Sequence, residues 1–121
     1  MSRKILVVED QEDNRRILRD LLMSADYEVI EAVTGDAGVT AAEIHRPDLI
    51  LMDIQLPGLD GYEATRHIRA NPDLQQIPII VVTSYALSGD DVKAFEAGCD
   101  AYMAKPFSPR VLLAKVREYV P

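Results

Sequence analysis

The chain contains one cysteine, Cys99, and no tryptophan. A single thiol cannot close an intrachain disulfide, so the fold must stand on a packed core. No apolar run is long enough to cross a bilayer. The opening residues, Met1-Ser2-Arg3-Lys4, lead straight into a strand-like segment without a secretory core or cleavage site. Basic residues are the minority, 13 against 20 acidic ones, for a net charge of −7. Such a surface repels phosphate backbones, so direct nucleic-acid binding is disfavoured. No Gly-x-Gly-x-x-Gly or Walker-type loop follows the first apolar run, which argues against a dinucleotide site. These absences lead us to expect a cytoplasmic protein with no membrane insertion.

The 121 residues are 48% hydrophobic and 27% charged, enough to bury one core and too apolar for disorder. Ile5-Leu6-Val7-Val8, Leu49-Ile50-Leu51-Met52 and Ile79-Ile80-Val81-Val82 are short continuous apolar runs, as in strands covered on both faces. Residues 27–32 and 101–104 read as two further strands. Helical patterns separate them. One carries Ile17, Leu18, Leu21 and Leu22; the next, capped by Thr34, places Ala37, Ala41 and Ile44 on one face. A third follows Asp60 with Tyr62, Thr65 and Ile68. A short one spans residues 89–97. The last begins near Pro109 and buries Leu112, Val116 and Val120.

Five strands alternating with five helices predict a doubly wound α/β fold with a parallel sheet and helices on both faces. There is no repeat, low-complexity tract or linker, and the last helix runs out at Pro121. One domain over residues 1–121 is therefore expected.

Ligands of open parallel sheets bind outside the carboxyl ends of the strands. The residues at those ends are Glu9 and Asp10, Asp53, Thr83 and Ser84, and Lys105. Carboxylates, a hydroxyl and an ammonium would meet at one rim. Hard oxygen ligands suit Mg²⁺, and an ionised aspartate beside it can attack phosphorus. Each residue alone has a plainer reading. Asp10 or Asp13 could cap the first helix, Thr83 could be a strand residue, and Lys105 a surface lysine. Convergence is what favours a metal or oxyanion site.

The same segments carry a resemblance. Ile5 through Asp10, Pro47 through Gly61, Ile79 through Thr83 and Gly98 through Pro106 together resemble the receiver domain of two-component response regulators, over the whole chain. The wording is similar to free-standing receivers of the bacterial cell-cycle type. The resemblance implies a flavodoxin-like sheet in the order 2-1-3-4-5. It implies phosphoryl transfer to Asp53 from a phosphohistidine on a histidine kinase or histidine phosphotransfer protein. Asp10, Asp53 and the Gln55 carbonyl would hold Mg²⁺, with Glu9 acting through metal-bound water. Lys105 would pair with the phosphoryl group, and Thr83 would turn toward it. Tyr102 would follow Thr83 as the aromatic switch, reshaping the fourth helix, fifth strand and fifth helix for a downstream effector. The Lys105-Pro106 bond would be cis. Gln55 and Tyr85 would flank the hydrolytic water without serving as strong bases, so slow self-dephosphorylation is expected.

The chain would thus catalyse only its own phosphorylation and dephosphorylation, as a monomer or weak dimer. Two other readings stay open. One is a small Mg²⁺-dependent phosphotransferase, which would need a second acid and a covering domain. The other is a degenerate receiver that binds partners without phosphorylation. Tyr102 also reads as a half-buried amphipathic residue, and His45 and His67 as solvated helix residues. Cys99 lacks a resolving cysteine and reads as a small loop or strand-edge residue. Arg15, Arg16 and Arg19 read as a solvated face that could also dock an acidic kinase surface.

Overall fold

The computed structural model describes residues 2–83, 90–105 and 108–121. Five strands and five α-helices alternate among them. They are β1 (Lys4–Val8), α1 (Glu12–Ser24), β2 (Glu28–Ala32), α2 (Gly35–His45), β3 (Leu49–Met52), α3 (Gly61–Ala70), β4 (Ile79–Thr83), α4 (Asp90–Ala97), β5 (Ala101–Ala104) and α5 (Pro109–Tyr119). A short 3₁₀ turn, Pro72–Leu74, follows α3. All strand pairs are parallel, in the order β2-β1-β3-β4-β5. This is the expected doubly wound sheet.

The continuous apolar runs divide by parity between two cores. Ile5, Val7, Leu49, Leu51, Ile80 and Val82 face α1 and α5, against Leu18, Leu22, Leu112 and Val116. Leu6, Val8, Ile50, Met52, Ile79 and Val81 face α2, α3 and α4, against Ala42, Ala64, Ile68 and Ala94. Each large side chain buried this way contributes roughly 1.5–3 kcal/mol. Because both faces are covered, the strands need no polar alternation.

The caps follow local chemistry. Thr34 accepts a hydrogen bond from the Ala37 amide, Asp60 from Glu63 and Ser108 from Val111. α1 differs from the expected alternatives. Its N-cap is Gln11 without a side-chain cap bond, so neither Asp10 nor Asp13 is spent there. The buried face of α2 is also shifted. Gly35, Gly38 and Ala42 face inward, whereas Ile44 is 70% exposed. Small residues are needed because α2 lies close to the sheet and to the loop after β3. A Cβ at Gly38 would meet the Val8 side chain at 2.9 Å, and one at Gly35 the Leu59 carbonyl at 1.8 Å. On α1 the buried pair is Leu18 and Leu22, with Ile17 exposed. Cys99 lies in the loop just before β5, as read, and its side chain is buried in the α2–α3–α4 core.

Candidate functional site

Backbone hydrogen bonds at the carboxyl edge of the sheet bring the strand ends together. The Asp53 amide donates to the Val8 carbonyl at 3.0 Å, setting the end of β3 beside the end of β1. The Glu9 amide donates to Ala32 at 3.0 Å, and the Lys105 amide to Thr83 at 2.7 Å. Glu9, Asp10, Asp53, Thr83 and Lys105 therefore follow from strand register. Gly61 fixes the next layer: its amide donates to the Ile54 carbonyl at 2.8 Å. A Cβ there would lie 2.0 Å from the Asp53 carbonyl oxygen, so α3 can start so near the loop after β3 only with glycine.

One carboxylate oxygen from each of Glu9, Asp10 and Asp53 lies within 4.8 Å of the other two. Glu9 is 1% exposed, Asp53 9%, and Asp10 is exposed. Lys105 spans the buried pair, with Nζ 2.6 Å from Glu9 Oε1 and 3.6 Å from Asp53 Oδ2. The Ile54 amide donates to Asp53 Oδ1 at 2.7 Å, and the Gln11 amide to Glu9 Oε2 at 3.1 Å.

These contacts separate the two buried carboxyls. Burial pushes Asp53 up to about 6; Lys105 pulls the other way, and the neighbouring Glu9 adds to the rise. Burial would raise Glu9 too. Its hydrogen bonds from Lys105 and the Gln11 amide outweigh that and hold it below the ordinary carboxylate range. The donor set is hard oxygen throughout. A divalent cation there would offset both the burial and the Glu9 repulsion that favour protonation of Asp53, so the residues fit Mg²⁺.

An open cleft of about 660 Å³ lies above the pair, lined by Asp10, Asn14, Asp53, Gln55, Pro57 and Asp60 among others. Gln55 is exposed and lines the same cleft as Asp53. Asn14 and Asp60 were not anticipated as cleft residues. Asn14 lies in the first turn of α1, a few residues after Asp10, and that closeness in sequence was the available signal. Thr83 is fully buried at the end of β4. Tyr102, paired in register with Val81, is half-buried against the α2–α3–α4 core. His45 and His67 are exposed. Pro106, Tyr85, Ser84 and Gly89 lie outside the described residues.

The chain matches the family model for the response regulator receiver domain over residues 5–117. The chain belongs to this family. The receiver is a signalling switch of two-component systems rather than a metabolic enzyme. It is 39% identical to a polar-differentiation response regulator, DivK, of Brucella anthropi over 120 residues, covering 99% of this chain and 98% of that one. The receiver domain of sensor histidine kinase PA1611 from Pseudomonas aeruginosa, solved with a magnesium ion in its active-site cleft, superposes with a TM-score of 0.92. The two are 40% identical, covering 99% of this chain and 98% of that one. The BeF₃-activated receiver domain of Klebsiella pneumoniae RstA is 32% identical with a TM-score of 0.90, covering 97% of each chain. Among the described residues of this receiver, no helix is long and apolar enough to cross a membrane.

Proposed function

We propose that residues 1–121 form one receiver domain in which Asp53 accepts a phosphoryl group. The donor is a phosphohistidine on a histidine kinase or a histidine phosphotransfer protein. The observation that carries this reading is the convergence of three carboxylates, the two buried ones paired with Lys105. Asp10, Asp53 and the Gln55 carbonyl would hold Mg²⁺, with Glu9 acting through water. A cation bound there would offset charge on the phosphoryl oxygens and keep Asp53 ionised.

The chain's own residues do the rest. An Asp53 carboxylate oxygen attacks phosphorus, and the O–P bond forms as the N–P bond breaks. The imidazole, already protonated on its other ring nitrogen, takes that electron pair and leaves as the neutral ring. Lys105, already between Glu9 and Asp53, pairs with a phosphoryl oxygen. The new group adds about −1.5 to −2 charges and strong acceptors. The Thr83 hydroxyl turns toward them, and Tyr102 follows into the space vacated. The surface of α4, β5 and α5 then changes for an effector protein, whose binding and the phosphoryl group favour each other reciprocally. The chain so catalyses only its own phosphorylation and slow dephosphorylation, in the cytoplasm, as a monomer or weak dimer.

Intact mass after incubation with a small phosphodonor and Mg²⁺ tests this. The wild type should gain one phosphoryl mass and Asp53→Asn none. An unmodified wild type would replace this reading with that of a binding module independent of phosphorylation.

A further inference from the structure

Asp10 is the one carboxylate of the three whose side chain makes no hydrogen bond among the described residues, and it is exposed. Glu9 is held by Lys105 and the Gln11 amide, and Asp53 by the Ile54 amide. The direction of the Asp10 carboxylate therefore depends on its backbone. That backbone is gripped from one side chain on α1. The Arg15 guanidinium places Nη1 3.1 Å from the Glu9 carbonyl oxygen and 3.5 Å from that of Asp10, the second contact being the weaker. Its Nε donates to Glu31 Oε1 on β2 at 3.0 Å. Glu31 is steadied in turn by Arg19, whose Nη1 lies 3.3 Å from Oε2. The Arg15 side chain is 18% exposed, against 58% for Arg16 beside it, which among the described residues pairs with Asp13 alone, at 3.4 Å.

We infer that Arg15 is a positioning residue for metal binding: it ties the Glu9–Asp10 backbone to β2 and so aims Asp10 at the cleft. The inference rests on the proposed Mg²⁺ site and deepens it. Arginine suits the task because its planar fork sets its donors apart in a fixed geometry, Nε toward the Glu31 carboxylate and Nη1 toward the backbone carbonyls, a spread that the compact ammonium of lysine lacks. It explains why a cation stands beside a cation site at all. As a charge, Arg15 opposes Mg²⁺, and Glu31 offsets that charge. As a brace, it adds to the bond from the Glu9 amide to Ala32 and orders the one carboxylate of the three whose side chain makes no hydrogen bond among the described residues.

The two effects have opposite signs, and that gives the test. Mg²⁺ affinity is measured with the metal alone, by calorimetry or tyrosine fluorescence, on the wild type and on Arg15→Ala, Arg15→Lys and Arg16→Ala. Loss of an outer support of this kind weakens metal binding by about tenfold or more. Arg15→Ala should do so although it removes a positive charge, which electrostatics alone would turn into tighter binding. Arg15→Lys keeps the charge and loses the fork; it should also weaken binding and is the variant safest for folding. Arg16→Ala should not weaken it. In phosphoryl uptake, the Arg15 variants should need more Mg²⁺ for half-maximal rate while the rate at saturating Mg²⁺ stays near wild type. Wild-type affinity in Arg15→Lys, or wild-type or tighter affinity in Arg15→Ala, overturns the inference and leaves the proposed function standing. A wild type that binds no Mg²⁺ overturns both.

Discussion

Lys105 and Glu9 form a 2.6 Å ion pair in which the carboxylate is almost wholly buried. The partners lie at opposite ends of the chain, at the ends of β5 and β1, and Asp53 stands 3.6 Å from the same ammonium. Removing one partner of a buried pair leaves the other charge uncompensated, at a cost of about 3–5 kcal/mol. Lys105→Met should lose about that much stability in urea denaturation and should also fail to take up phosphoryl groups. The reciprocal change, Glu9→Gln, leaves a less buried lysine and should destabilise less. Equal stability of Lys105→Met and wild type would show that the pair is not a structural element.

Gly61 carries a different constraint. The site for its Cβ is 2.0 Å from the Asp53 carbonyl oxygen and 2.7 Å from the Ile54 Cα. Both are backbone atoms, which cannot step aside as a side chain would. Gly61→Ala must push α3 away from the loop after β3, with overpacking costs of roughly 1–3 kcal/mol. Because that loop carries Asp53 and Gln55, Mg²⁺ binding should weaken as well. A thermal melt and a Mg²⁺ titration on one sample read both effects.

Arg69 makes the converse case, a strong anchor far from the chemistry. Its guanidinium donates to the Gly98 carbonyl at 2.7 Å, the Ile77 carbonyl at 2.7 Å and the Asp100 carboxylate at 2.7 Å. Asp100 also accepts from the Ile79 amide at 2.8 Å. These contacts lie at the amino edge of β4 and β5, opposite the acidic cleft. Bonds to charged groups contribute about 1.5–3 kcal/mol each, though not additively. Arg69→Ala should therefore cost about 3 kcal/mol or more while leaving Mg²⁺ affinity at the wild-type value. A matching fall in affinity would mean that the two edges are coupled.

What could be read beforehand divides along the same line. The sheet was legible because strands covered on both faces appear as unbroken apolar runs, and the polar residue after each run marks the functional edge. Glu9, Asp10, Asp53, Thr83 and Lys105 all sit where that rule puts them. The strand order was not legible from the runs; it came with the resemblance. The inward face of α2 was misplaced because Gly35 and Gly38 carry no hydrophobic signal, although close packing demands them there. Arg15 was legible as a charge on a helix, but its grip on the Glu9 carbonyl needs the α1–β1 geometry. Pairings across long sequence separations, such as Tyr27 with the Val120 carbonyl at 2.6 Å, left no local mark at all.

The protonation of Asp53 makes the site sensitive to pH in a defined direction. Burial lifts this carboxyl from 3.8 to about 6 in the folded, metal-free chain. A folded value above the unfolded one means that the group favours folding fully below 3.8. That contribution is lost as pH rises through about 6. Glu9 works the other way: its lowered value supports the fold above its ordinary 4.5, and that support is lost as pH falls through the folded value. The proposed Mg²⁺ site would need Asp53 ionised, so below about pH 6 a proton would have to leave before the metal binds. Apparent Mg²⁺ affinity should be flat above about pH 7 and fall by up to about tenfold for each unit below about pH 6, one proton exchanging for one ion. Asp53→Asn should bind Mg²⁺ more weakly and lose this dependence. The chain has five tyrosines and no tryptophan, so tyrosine fluorescence is a natural readout, with calorimetry in two buffers counting the proton released. An affinity that stays constant from about pH 7 down to about pH 5 would mean that Asp53 ionises well below the value its burial assigns.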